Sequence, residues 1–142
     1  MHPRLGILVS AALLITSTAA CSSGNASSNT ATKTTKVMAS SNGAAVFSTN
    51  CSTCHSSDGK GGIAPPLAGN ALVTGDPQKV IHIVKDGLTG AVQVNGKNYN
   101  GTMPAWKGIL SNADLAGVIT YIRSSWGNKA SAVTSAQVSS TP

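Results

Sequence analysis

The sequence predicts a small all-α domain with long loops, set between polar flanks. Three observations carry this. Two segments have helix caps and apolar residues at helical spacing. A third, shorter apolar segment leads into a cysteine pair. No run alternates in the way a half-buried strand requires.

The chain begins with "MHPRLGILVSAALLITSTAAC". Arg4 gives a positive start, Leu5 to Ile15 are apolar, and small residues follow up to Cys21. This is a secretory signal pattern over residues 1–20. The apolar run is too short for a spanning helix, which needs about 20 such residues. Residues 21–40 are a Ser/Thr-rich tether, too polar to bury a core. Cys21, after "STAA" and before this tether, resembles a bacterial lipoprotein processing site, in which the cysteine carries lipid. Ordinary cleavage nearby would instead leave a free thiol. Cysteine counting favours the lipid, because Cys51 and Cys54 pair naturally and Cys21 is left odd in an oxidising compartment.

Residues 41–128 form the folded domain, and 129–142 ("KASAVTSAQVSSTP") a disordered polar tail. The first helix runs from about Asn42 to Thr49 and carries Ala45, Val46 and Phe47. The second has Asp76 as N-cap, Pro77 at its first position and Gly87 as its stop, with Val80, Ile83 and Val84 at helical spacing. The third starts at Ser111, with Asp114 three residues on. It presents Leu115, Val118, Ile119 and Ile122 as one stripe and ends at Gly127. The stretch "GAVQVNGKNYNG" has the means for a hairpin at Asn95-Gly96 but is expected as loop. A domain of about 90 residues is marginal on its own core and needs a staple such as a disulfide, a metal or another bound group.

The stretch "NCSTCHSSDGKGG" holds Cys51, Cys54 and His55. Three readings are open. A structural zinc site takes four ligands; here His82 is the only further histidine of the domain, so the count falls short. A redox dithiol sits near a strand–helix unit, which is missing; a plain disulfide shares that reading. The third is covalent haem attachment, whose signature is C-x-x-C-H. Two thiols a short turn apart can each add to a haem vinyl group, and the adjacent imidazole can ligate the iron. That imidazole must be neutral, with its other nitrogen hydrogen-bonded.

With "CSTCH", "GGIAPPLAG", "NGTMPAW" and "LSNADLAGVITYI" in this order, the chain resembles the class I c-type cytochromes over the whole domain. The resemblance implies three main helices with long loops wrapped around one covalent haem c. It places the haem on Cys51 and Cys54 and the iron between His55 and Met103. Pro65 would accept the histidine N–H, and Leu67 would pack on the haem. Gly43 and Phe47 would cross the last helix near Tyr121.

Each residue has a plainer reading. Met103 could fill a core gap, but it sits in a loop before a proline. His82 reads as a surface or half-buried helix residue, Arg123 as a solvated helix charge, and Trp106 as packing under the methionine loop. Tyr99 is left open between a propionate contact and a loop cap.

A haem iron with His and Met ligands has no open position, so the implied function is single-electron transfer in a respiratory or dehydrogenase-linked chain, without catalysis. A dedicated cytochrome subunit of a periplasmic dehydrogenase is the alternative. A haem enzyme or sensor with a dissociable Met is the third reading. The four aspartates are scattered and unpaired, unlike a catalytic pocket. Net charge is +6, with dispersed basic residues and no aromatic interleaving. That excludes a nucleic-acid groove and suits steering toward an acidic redox partner, a dehydrogenase or oxidase, or an anionic membrane. The expected location is the periplasmic side of a bacterial membrane, held by lipid on Cys21.

Overall fold

The computed structural model describes residues 42–142. The expected signal, tether and Cys21 lie outside the described residues. The element order is α1 (Gly43–Asn50), α2 (Ser52–His55), α3 (Ala71–Thr74), α4 (Pro77–Asp86), β1 (Leu88–Val94), β2 (Lys97–Met103), α5 (Asn112–Ser124) and α6 (Ser135–Ser140). No helix among the described residues is long and apolar enough to cross a membrane.

The caps act as their chemistry dictates. The Asp76 carboxylate accepts the Gln78 N–H at 2.9 Å, and the Ser111 hydroxyl accepts the Asp114 N–H at 3.1 Å. These satisfy first-turn donors that have no intrahelical partner. The buried stripe of α5 includes Leu115, Val118, Ile119 and Ile122, and it meets Phe47 of α1 and Ile81 and Val84 of α4 in one core.

α1 crosses α5 at two glycines. A Cβ on Gly43 would lie 2.3 Å from the Gly117 carbonyl oxygen and 3.1 Å from the Tyr121 Cβ. The missing side chain is therefore what lets the backbones approach. Phe47, Tyr121 and Trp126 close the crossing, with ring centroids 5.0–5.5 Å apart, a spacing at which tilted and edge-on aromatic pairs are favourable. Gly43→Ala should therefore destabilise by at least about 2 kcal/mol, as overpacking does. For a domain this size, that lowers Tm by roughly 10 °C. An unchanged midpoint in a thermal melt followed by circular dichroism would refute this crossing.

Three expectations need correction. In place of three main helices, the described residues form six helices, of which α1, α4 and α5 are the longest, and a two-stranded sheet. The segment expected as loop is an antiparallel hairpin, with Leu88 opposite Met103 and Val94 opposite Lys97. Asn95 and Gly96 form its two-residue turn at φ 51° and 77°, the left-handed conformation that this dipeptide tolerates best. The segment 129–142 is not a disordered tail. Val133 and Val138 are fully buried, and Thr134 and Gln137 form a capping box at the start of α6. Its composition alone could not show that the domain supplies partners for it.

Arg123 is one such partner, and the solvated reading of it also fails. It is 2% exposed. Its guanidinium donates to the carbonyls of Val73 (2.6 Å), Gly75 (3.0 Å) and Ser131 (2.9 Å). These bonds join the end of α3 to the start of the C-terminal segment.

Candidate haem site

α1 runs almost directly into α2, so the cysteine pair and His55 stand on one short turn. The His55 N–H bonds to the Cys51 carbonyl at 3.0 Å. After His55 the chain reverses at Ser56, which has a φ of 66°, and folds back on the motif. Gly61 N–H reaches the His55 carbonyl at 3.0 Å, and Ala64 N–H reaches the Cys54 carbonyl at 3.2 Å. This return brings the Pro65 carbonyl within 2.9 Å of His55 Nδ1.

That contact sets the chemistry of the ring. A carbonyl can only accept, so Nδ1 carries the proton and the lone pair is left on Nε2. His55 is 9% exposed. Burial lowers its pKa, while the bond to Pro65 pulls the other way more weakly. The neutral imidazole is thus favoured, and its Nε2 is free to ligate a metal.

Burial, and then the neighbouring Cys54, push the Cys51 thiol up to about 11. This is the reverse of the acidic thiol on which a redox dithiol depends. The two cysteines are not joined to one another. Among the described residues, no three His, Cys, Asp or Glu side chains gather for a metal ion.

Beside the motif lies a largely apolar cavity of about 330 Å³. Cys51, Cys54, His55, Pro65, Leu67 and Met103, the six residues singled out from the sequence, all line it. Phe47, Val84, Val118 and Ile122 extend the core to its wall, and the hairpin closes another side. In the hairpin, Gly90 pairs with Gly101 between the pairs Leu88–Met103 and Val92–Tyr99. Both glycines line the cavity, and a Cβ on either would meet no protein atom within 4 Å. The strands thus offer bare backbone to whatever fills the space. Two thiols, a neutral imidazole and a thioether around an apolar cavity are the donor set and setting that a covalently attached haem requires. The residues fit the group.

A family model described as Cytochrome c matches residues 40–126. The chain belongs to the cytochrome c family. The family implies one covalently bound haem c, which the residues around the cavity fit. Similar proteins include the cytochrome c subunit of a quinone-type alcohol dehydrogenase from Gluconobacter oxydans, 39% identical over 98 residues, which are 66% of this chain and 20% of the relative. The cytochrome c subunit of a gluconate 2-dehydrogenase from Pantoea cypripedii is 38% identical over 105 residues, covering 69% of this chain and 23% of the relative. Cytochrome c-552 of Thermus thermophilus is 32% identical over 97 residues, 64% of each chain. The chain thus spans only a fifth to a quarter of the length of the dehydrogenase subunits.

The remaining residues of this cytochrome c fall as follows. His82 is a surface residue whose side chain is 64% exposed and lies 2.9 Å from Asp86. Trp106 is half-buried against the core and lines the cavity. Tyr99 lines the cavity from β2 and carries the Lys97 ammonium 5.2 Å from its ring centroid.

Sequence reasoning missed two asparagines that shape the site. Asn70 caps α3 through the Leu72 N–H, at 2.9 Å, and donates to the Pro66 carbonyl, also at 2.9 Å. Buried Asn128 donates to the carbonyls of Leu67 and Ile122 and accepts the Gly69 N–H. It thereby fixes the Pro65–Leu67 loop against the end of α5. Its position beside Gly127 was the only signal available, although α5 already ends at Ser124, three residues before the expected stop at Gly127.

Proposed function

We propose that this cytochrome c passes single electrons through a haem attached to Cys51 and Cys54, with His55 and Met103 as the two axial ligands. The observation supporting this is the convergence of those four side chains on one apolar cavity, with His55 Nδ1 held by Pro65. When bound, the haem supplies a ferrous–ferric couple. The protein's part would be to hold the iron through His55 and Met103, fix the imidazole through Pro65, and surround the site with apolar walls. Leu67 stands at that wall, and residues of both hairpin strands line another side. Held by both side chains, the iron would leave no position for a substrate, which supports a carrier of electrons over a catalyst.

The dehydrogenase subunits among the relatives support a dehydrogenase as electron donor. They equally support a second reading, in which the domain is a dedicated subunit of such a complex. A respiratory oxidase is the other partner class. The signal pattern at residues 1–20 supports export to the periplasm, and Cys21 supports a lipid anchor with residues 22–40 as tether.

The test is stopped-flow exchange with dehydrogenase and oxidase preparations, using membrane-bound wild type and Cys21→Ser. Fast, reversible exchange that slows as salt rises is expected, because the domain carries seven basic residues against four aspartates, an excess that steers encounter. The serine variant should move to the soluble fraction. Tight carbon monoxide binding by the intact ferrous protein, with multiple turnovers of peroxide, would replace the carrier with an enzyme or sensor. A wild type already soluble would remove the anchor alone.

A further inference from the structure

The C-terminal segment does more than cover α4 and α5. It ends on Lys85, a residue of α4 that also holds the methionine loop. Lys85 is 6% exposed. Its ammonium donates to the Val138 carbonyl at 3.1 Å and to the Thr141 carbonyl. These carbonyls lie at the C-terminal end of α6, where backbone acceptors have no helical partner and a cation is favourable. At the other end of α4, the Thr141 hydroxyl meets Gln78 Oε1 at 2.5 Å. The segment therefore grips α4 at both ends.

The main chain of the same residue faces the other way. The Lys85 carbonyl accepts the N–H groups of Trp106 (3.1 Å) and Lys107 (3.0 Å), and the Val84 carbonyl accepts that of Trp106 at 3.2 Å. These are the otherwise unpaired carbonyls of the last turn of α4. Two residues on, Gly87 takes a φ of +80°, and a Cβ there would fall 2.5 Å from the Met103 carbonyl oxygen and 3.0 Å from Ala105 N. The end of α4 is thus the floor on which Met103–Lys107 rests.

We propose that α6 and Lys85 form a latch that positions the Met103 loop. The ammonium anchors the last turn of α4 to α6, and the carbonyls of that turn hold the loop. The inference rests on Met103 being the axial ligand, and it adds a distant part of the chain that keeps it in place. Lys85 is a positioning residue, with no contact to the haem required.

Two variants test it in the haem-loaded, full-length protein. Lys85→Met keeps the aliphatic stem and removes the ammonium, and a second variant lacks residues 132–142. Amide hydrogen exchange is read at Trp106 and Lys107 against Ile119 of α5. The far-red sulfur-to-iron band of the ferric form is read against added imidazole. A hydrogen bond from a charged donor is strong enough that its loss should speed exchange at Trp106 and Lys107 about tenfold relative to Ile119. The band should disappear at about tenfold lower imidazole. If the latch acts through Lys85, combining the changes adds little at these two amides. Exchange that rises equally at all amides, or not at all, would overturn the latch in favour of general stabilisation. Multiplicative effects in the combined variant would also overturn it. If the wild type lacks the band, the Met103 assignment falls, while the exchange ratio still decides whether the loop is latched.

Discussion

Cys51→Ser combined with Cys54→Ser should yield a chain that surrenders its haem to acidic organic solvent and, once haem-free, loses most of its helical signal. Wild type should keep one haem's added mass through denaturation. The first half follows from the two thiols at the cavity wall, the only cysteines among the described residues. The second half follows from the cavity's place in the core. Left unfilled, this apolar space would expose the core residues that line it to water or leave them without packing partners. A small domain is only marginally stable, so such a loss weighs heavily. Phe47, Val84, Val118 and Ile122 would lose the partner on one side, and the hairpin would lose what it rests against. Mass spectrometry after extraction and far-ultraviolet circular dichroism check the two halves separately. A serine variant that holds haem through extraction would refute the attachment. A haem-free chain with native helicity would refute the structural role of the cofactor.

The parts of this design that were legible in the sequence are those fixed by local chemistry. Asp76 and Ser111 cap helices because a short polar side chain reaches the first-turn donors in any context. Cys51, Cys54 and His55 are consecutive enough that one turn of helix presents them together. Pro65 was legible through the resemblance, since nothing local announces that its carbonyl will meet a ring ten residues away. What stayed hidden depends on distant partners. The strand β2 reads "KNYNGTM", too polar to declare a buried face, and its pairing becomes clear only once the cavity lies beneath it. The C-terminal segment carries only two fully buried valines. It is ordered because Arg123 and Lys85 supply donors from 8 and 53 residues or more away. Arg123 itself looked like a surface charge because its acceptors are backbone carbonyls, which leave no mark in a sequence.

Met103→Ala should abolish the far-red sulfur-to-iron band, lower the reduction potential, and open the ferrous protein to tight carbon monoxide binding. Methionine sulfur favours the ferrous state and raises the potential relative to nitrogen or water at the same position. Its loss should lower the potential by something on the order of 0.1 V, a modest part of the ~0.8 V over which axial ligands act. The substitution is half-buried at the end of β2, paired with Leu88, so some stability will be lost as well. Two features separate the ligand effect from that loss. His82→Ala should leave spectrum and potential unchanged, because the His82 side chain is exposed and engaged with Asp86. Leu88→Ala should loosen the same end of the hairpin while keeping the band at low temperature. If His82→Ala shifts the spectrum and Met103→Ala does not, the second ligand is elsewhere. If both Met103→Ala and Leu88→Ala erase the band to the same extent, the thioether acts only as packing. With the band lost in Met103→Ala alone, carbon monoxide should bind that variant and leave wild type untouched. The iron's closure to substrates would then rest on one side chain, and so would the difference between a carrier of electrons and a haem that could bind and transform small molecules.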